Sequence, residues 1–408
     1  MPENLKPRDA AEVEQAIQWA IAGAKTLEIV GRGSKRLVGR AAQWDMTLDL
    51  SGLSGVTLYE PAELVLSAKA GTPLSEVEAL LAANGQRLAF EPMDYGPLLG
   101  GAAGDATIGG VLSSNLSGPR RIKAGAARDH FLGVSAVSGR GETFKSGGRV
   151  VKNVTGYDLC KLLAGSWGTL AAMTDVTVKT LPRAETERTG LVLGLDEAAA
   201  GKLMTAVMGS FADASAAAHL ASPLAERTAA TATAGAAVTA FRLEGVAPSV
   251  AHRQAVLEEL AKPYGRLGTL EEAHSRPFWQ AIRDAAPFAA GGPAGAREVW
   301  RISTAPARGV EIGRALVARA EAEVLYDWAG GLIWAALPSS GDAKAGLVRA
   351  VVASAGGHAT LIRAPAAVRA AVDVFEPEAP ALAALTKRVR ESFDPRGVLN
   401  PGRMWAGV

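Results

Sequence analysis

Between Gly104 and Pro119 the chain reads GDATIGGVLSSNLSGP. Glycines at 104, 109, 110 and 118 alternate with Thr107, Ser113, Ser114 and Asn115, and only Ile108 and a few aliphatic residues carry bulk. A backbone so thinly covered admits the close approach of a ligand. Glycine allows turns that aim successive N–H groups into one concavity, and small hydroxyls around it suit the oxygens of a phosphate or pyrophosphate. The run IGGVLSSNL then starts a short helix whose dipole adds to that attraction. Taken alone, the stretch is equally a glycine-rich turn without a ligand.

A second loop of the same kind lies upstream. Val13, Ile17 and Ile21 recur at helical spacing from Asp9 to Ala22, with Asp9 as cap, Glu12 in a capping-box position and Gly23 as the end. The strand-like run Leu27–Val30 leads straight into Gly31-Arg32-Gly33-Ser34-Lys35. This glycine-bracketed loop carries two cations and a hydroxyl, the parts that hold a pyrophosphate by backbone N–H groups and charge, and an exposed basic turn is the alternative. It lacks the third glycine of a dinucleotide-binding fingerprint, and no GxxxxGK[ST] loop occurs in the chain. Short strands follow at Met46–Leu50, Val56–Tyr59 and Leu64–Ala70, then a helix opened by Pro73 and closed near Asn84-Gly85. A strand from Arg87 to Phe90 leads through Glu91-Pro92-Met93-Asp94 into the glycine-rich stretch. Two strand-fed loops in one α+β segment can clamp the single pyrophosphate of a dinucleotide from both sides.

At 408 residues the chain exceeds one ordinary core, and its 48% hydrophobic and 21% charged residues are those of a globular protein. A formal net charge of +2 offers no basic stripe for nucleic acid, and Arg120-Arg121-Ile122-Lys123 reads as a solvated or phosphate-facing turn. No apolar run reaches membrane-spanning length, and the N-terminus has no secretory pattern. The single cysteine, Cys160, permits no intrachain disulfide and cannot by itself hold an iron–sulfur cluster; helix packing is its expected role.

His130–Val137 and Glu142–Lys145 read as a hairpin, which makes the second GRG, Gly139 to Gly141, turn chemistry. Val150 to Pro182 gives a turn ending at Gly156, a short helix through Leu163, the small-residue loop Gly165-Ser166-Trp167-Gly168-Thr169 and an alternating strand to Lys179. Beyond Pro182, strands near 190–195, 237–243, 300–303, 322–337 and 359–363 alternate with helices, with a hairpin at Gly330-Gly331. The Ala/Ser/Thr-rich tract 212–236 reads as partly loop, and the last thirty residues, punctuated at Phe393–Gly397 and Asn400–Arg403, as turns in a tail lying on a surface.

GRGSK, GDATIGG…NLSGP, KNVTGYDLCKLLAGSWGTL and FDPRGVLNPGRM, in that order, resemble the vanillyl-alcohol-oxidase/PCMH group of FAD-binding proteins. LSGPRR, KNVTGYDL and LNPGRM are most similar to the FAD-binding subunits of bacterial glycolate oxidases. The resemblance implies an α+β fold: a PCMH-type FAD domain over 1–183, an antiparallel α+β cap over 184–385 and a C-terminal segment, 386–408, returning to the flavin. It implies non-covalent FAD, because Ser34 and Lys35 stand where covalent members carry histidine. It assigns the cofactor to Gly31, Arg32, Gly33, Ser34 and Lys35, then to Pro92, and to Thr107, Ile108, Gly109, Gly110, Ser114, Asn115 and Gly118. Gly165, Gly168, Thr169 and Met173 fall to the adenosine half, and Asn400 and Arg403 to the tail. Ala171 replaces an expected glycine there, and Lys152, Tyr157 and Asp158 match the small-subunit branch without individual roles.

The implied function is 2-hydroxy acid oxidation as one subunit of a glycolate oxidase. Its partners would be a larger catalytic FAD subunit and an iron–sulfur subunit, in the cytoplasm and membrane-associated through them. The alternatives are a free-standing FAD oxidase or dehydrogenase of a small hydroxy acid or polyol, and a non-catalytic scaffold that has lost flavin. None of the five histidines, at 130, 219, 252, 274 and 358, forms a close ligand pair, so no metal is expected. Arg283, Arg301 and Trp328 are the catalytic candidates: an arginine clamps a small carboxylate and a tryptophan walls the flavin, although a packed aromatic core with solvated arginines gives the same pattern.

Overall fold

The computed structural model describes residues 3–150, 156–228 and 235–407. Helix Ala10–Ala22 buries Val13, Ile17 and Ala20, and the Asp9 carboxylate accepts the Glu12 N–H at 2.9 Å. The Glu12 carboxylate does not reach back to Asp9. It accepts the N–H of Arg8 at 2.8 Å and pairs with the same residue's guanidinium, so the expected box closes one residue earlier.

Three sheets of three or more strands and one two-stranded pair follow. Glu3–Leu5, Met46–Asp49 and Leu27–Val30 form a small parallel sheet in that order. Its open edge is covered by the chain's own tail: Leu27 donates to the Val398 carbonyl at 2.8 Å and accepts from Asn400 N at 2.9 Å. The expected surface tail is therefore buried at Val398, Leu399 and Asn400, because an edge strand offers it unpaired N–H and C=O groups. The helix Pro380–Phe393 precedes it, in a segment read as turns, and crosses the boundary expected at 386.

The second sheet runs Val56–Glu60, Val65–Lys69, Ala171–Lys179, Phe131–Ser138, Thr143–Gly147, antiparallel throughout. Its last two strands are the expected hairpin. Of the strand expected at 87–90, only Gln86–Arg87 pairs, with Leu181–Pro182. Leu88, Ala89 and Phe90 leave the ladder for the core, where burial outweighs strand pairing.

The third sheet has eight antiparallel strands, in the order Leu267–Leu270, Thr186–Leu193, Val238–Gly245, Ala216–Leu220, Glu323–Asp327, Leu332–Leu337, Glu298–Ser303, His358–Arg363. Ala216–Leu220 is a strand inside the tract that reads as partly loop: every residue of it is buried, and it sits in mid-sheet against the helix Glu197–Met208. Alanine's weak strand preference yields to that position, since small side chains let a helix pack closely on a central strand.

One hydrophobic cluster joins the five- and eight-stranded sheets, with Leu66, Phe90, Tyr95 and Phe131 sharing it with Trp279, Phe288, Trp328 and Trp334. A buried ion-pair network spans the same junction. Arg242, 1% exposed, donates to both Glu91 oxygens at 2.9 Å, and Arg120 pairs with Glu91 at 2.8 Å and Glu244 at 2.9 Å. Arg120 is thus a structural cation and not a solvated one, while Arg121 is exposed. Burial pushes the Glu91 carboxyl up, but Arg242 and Arg120 outweigh it and hold it down at about 2.

A carboxyl depressed in the folded state stabilises the fold above its ordinary value of 4.5, and that stability is lost as pH falls towards 2. Acid unfolding followed by circular dichroism should show the loss within this window. Arg242→Met should cost about 3–5 kcal/mol in urea unfolding at neutral pH, because Glu91 is left buried with one partner fewer.

Candidate cofactor site

Leu27–Val30 delivers Gly31–Lys35 to one wall of a cleft. Thr107, Gly109, Gly110 and Ser113 form the facing wall, and Gly168, Ala171 and Met173 also line it. Among the described residues no acceptor meets the backbone N–H groups of Arg32, Gly33, Ser34 or Lys35. Gly33, at φ +80°, turns them into one concavity.

The helix Ile108–Ser114 has no such donors to offer. Ile108 N–H goes to Thr72 O at 3.0 Å, Gly109 N–H to Ala70 O at 2.9 Å and Gly110 N–H to Thr107 Oγ1 at 3.2 Å. A Cβ on Gly109 would stand 2.7 Å from that of Ala70, so this glycine serves the approach of helix to strand. The free N–H donors lie in the first loop and not at the glycine-rich helix start, although the sequence points to such donors at both.

Lys35 is almost wholly buried, and among the described residues its ammonium bonds only to Ser34 Oγ, at 3.2 Å. Burial pushes its pKa down to about 8, with Asp94 opposing and Arg403 adding to the fall. Arg403 is buried too. It donates to Lys35 O at 2.9 Å, stands 5.6 Å over the Trp167 ring, and leaves its Nε without a partner. Burial lowers its pKa to about 10, against the pull of Glu28. Arg32 is engaged at the rim by Asp105 at 3.2 Å, and Arg36, a residue the sequence did not single out, is held by Glu28 and by Thr47.

Two buried cations without a carboxylate of their own, beside four free N–H groups, fit a pyrophosphate. A bound flavin dinucleotide supplies the hydride and electron chemistry; the chain supplies binding, orientation and charge.

Asn400, fully buried at φ +44°, accepts from Ile29 N at 2.9 Å and donates to Trp167 O at 2.8 Å. It ties the strand feeding the first loop to the loop 165–169.

Past Trp167 a second cleft opens between Tyr95, Ser114, Asn115, Gly165, Arg301 and His358. Arg301 makes no ion pair among the described residues, its Nε is buried without a partner, and its guanidinium lies 5.2 Å from the Trp328 ring centre. Trp328 is buried and anchored by its indole N–H to Gly118 O at 2.9 Å, with Arg121 4.4 Å from the same ring. It supports Arg301 and does not line the cleft. Burial pushes the Tyr95 phenol up to about 12, so it stays neutral. Burial and then Arg301 push His358 down.

The remaining candidates are engaged by other contacts. Arg283 is claimed by Asp284 at 2.8 and 2.7 Å and lines a separate cavity with Glu78 and Arg276. Pro92 and the Ile108 side chain are buried and line neither cleft, and Gly118 abuts Glu91 O, where a Cβ would stand at 2.4 Å. Ser114 donates to Gly110 O at 2.6 Å, Asn115 accepts Arg128 N–H at 2.9 Å, and Thr169 donates to Ser166 O at 2.7 Å. Lys152 lies outside the described residues; Tyr157 is exposed and Asp158 caps the helix Leu159–Leu163. Cys160 is buried, and burial raises its thiol to about 11. No group of three or more His, Cys, Asp or Glu among the described residues could hold a metal ion.

Residues 4–147 match the family described as FAD binding domain. The structure of p-cresol methylhydroxylase with substrate bound shares the fold, at TM-score 0.74 over 98% of this chain and 88% of that one, with 12% identity. The chain thus carries an FAD-binding domain and shares the fold of p-cresol methylhydroxylase. It is 31% identical over 401 residues to glycolate oxidase subunit GlcE of Escherichia coli (strain K12), covering 96% of each chain. It is also 42% identical to glycolate oxidase subunit GlcD of Bacillus subtilis (strain 168), over 88 residues, 22% of this chain and 19% of that one. The chain belongs to the GlcE family of FAD-binding proteins.

A buried lysine whose folded pKa is depressed destabilises the apo fold most below about 8, and the cost is relieved as pH rises towards 10.5. Lys35→Met should therefore raise the apo Tm at neutral pH while weakening FAD binding about 10- to 100-fold, the worth of a charge-assisted hydrogen bond. Calorimetry of the apo protein and flavin fluorescence titration measure the two opposite effects.

Proposed function

We infer that this chain is the FAD-binding subunit of a heteromeric 2-hydroxy acid oxidase acting on glycolate, with a larger flavoprotein chain and an iron–sulfur chain as partners. Similarity to GlcE over nearly the whole of both chains carries this reading, and the partial likeness to GlcD supports a flavoprotein partner. Electrons from reduced flavin must leave through oxygen or through clusters held by another chain, since one cysteine cannot hold a cluster. No helix among the described residues is long and apolar enough to cross a membrane. The proposed setting is the cytoplasm, with membrane association through partners.

The first cleft takes the pyrophosphate on Gly31–Lys35, with Lys35 and Arg403 as counter-charges. In the second cleft Arg301 takes the substrate carboxylate, positioned by Trp328. The working division is 1–183 for the FAD domain, 184–385 for the cap and 386–408 for the returning tail. The unpaired Arg301 also supports a second reading, a free-standing hydroxy acid dehydrogenase, because a lone cation beside the flavin end suits a substrate bound by this chain alone.

An anaerobic absorption spectrum of the purified chain before and after glycolate separates the two. The subunit reading expects a flavin spectrum that persists until the partner chains are added. Bleaching by glycolate alone establishes the free-standing enzyme, and a colourless protein that takes up no FAD overturns both. In whichever form turns over, Arg301→Met should raise KM for glycolate about 10- to 100-fold, the loss of a charged hydrogen-bond pair.

A further inference from the structure

Among the residues that line the two clefts, only Trp167 lines both. Its ring therefore stands at the partition between the phosphate cleft and the Arg301 cleft. The backbone there is fixed at both ends, with N–H to Ser113 O at 2.9 Å and the carbonyl accepting from Asn400 Nδ2 at 2.8 Å. It is held in the left-handed region at φ +54°, between Gly165 at +89° and Gly168 at +72°. The side chain is held otherwise. Among the described residues its indole N–H meets no acceptor, as with Trp19 and Trp334 and unlike Trp44, Trp279, Trp300, Trp328 and Trp405. The ring is half-buried, packs against two hydrophobic clusters, and meets Phe375 edge-on at 5.6 Å between centroids and the Arg403 guanidinium. Phe375 in turn packs on Trp405 at 6.3 Å.

No hydrogen bond to the described residues holds the indole, so the ring can turn by giving up packing contacts alone while the backbone stays fixed. We propose that Trp167 is a gate for cofactor loading: its indole closes the passage between the clefts in the apo chain and must swing away before an extended dinucleotide can span them. The proposal rests on the reading of the first cleft as the pyrophosphate site and goes beyond it to the order of events. Phe375 is the latch, because moving the indole breaks the edge contact while leaving every backbone hydrogen bond in place. A closed ground state lowers apparent affinity by the fraction of molecules open, and it makes opening a first-order step before binding.

The test is stopped-flow mixing of apo protein with FAD, followed by quenching of flavin fluorescence. In the wild-type chain the observed rate should level off at high FAD, at the opening rate. In Trp167→Ala it should rise linearly with FAD and exceed the wild-type plateau by about tenfold or more. Phe375→Leu leaves the indole in place and weakens only the latch, so its plateau should be raised but still present; it decides the matter if Trp167→Ala fails to fold. Linear uptake in the wild type, with rates unchanged in the variants, would overturn the gate and leave the cofactor site standing. A wild-type chain that takes up no FAD would overturn the cofactor reading and the gate with it.

Discussion

Asn400 holds the site together. Its backbone N–H completes the ladder to Leu27, its carboxamide oxygen takes the Ile29 N–H, and its amide nitrogen donates to Trp167 O. One buried side chain thus sets the strand that aims the first loop, the loop that carries the gate, and the tail that brings Arg403 to Lys35. Both halves of the carboxamide are satisfied inside the protein, which is the condition under which burying a polar group stabilises a fold. Gly168 packs against the same carboxamide, where a Cβ would stand 2.8 Å from Asn400 Nδ2.

Charge is handled in two opposite ways across this scaffold. At the junction of the sheets, Arg242, Arg120, Glu91 and Glu244 neutralise one another in a buried network whose geometry leaves the carboxylates ionised. In the clefts, Lys35, Arg403 and Arg301 are held without carboxylates, at a cost in stability that burial makes plain for Lys35. Buried cations left unmatched are a poor way to stabilise an apo protein and a direct way to prepare an anion site. The ion-pair network and the shared hydrophobic cluster offset that strain, so the clefts can remain charged while the sheets stay docked.

The sequence by itself determined the local elements and the chemistry of the loops. Val13, Ile17 and Ile21 dictate a helix by spacing, Leu27–Val30 runs into GRGSK as strand into loop, and Gly330-Gly331 punctuates a hairpin; each signal rests on neighbours a few residues apart. The order of four glycine-rich motifs marked the FAD-binding class, because backbone turns of that kind are written in residue type. Tertiary structure decided what spacing cannot carry. It assigned Arg120 to an ion pair and Lys35 to an unpaired burial, although both are basic residues beside glycine- or proline-rich turns. It placed an alanine run in the middle of a sheet and drew a turn-rich tail into the core, since burial and ladder pairing outweigh weak local preferences. It also set Trp167, two residues after one glycine and one before another, between two clefts built from segments hundreds of residues apart. Charge pairing, edge pairing and the meeting of clefts are relations among distant segments, and only the folded chain brings those segments together.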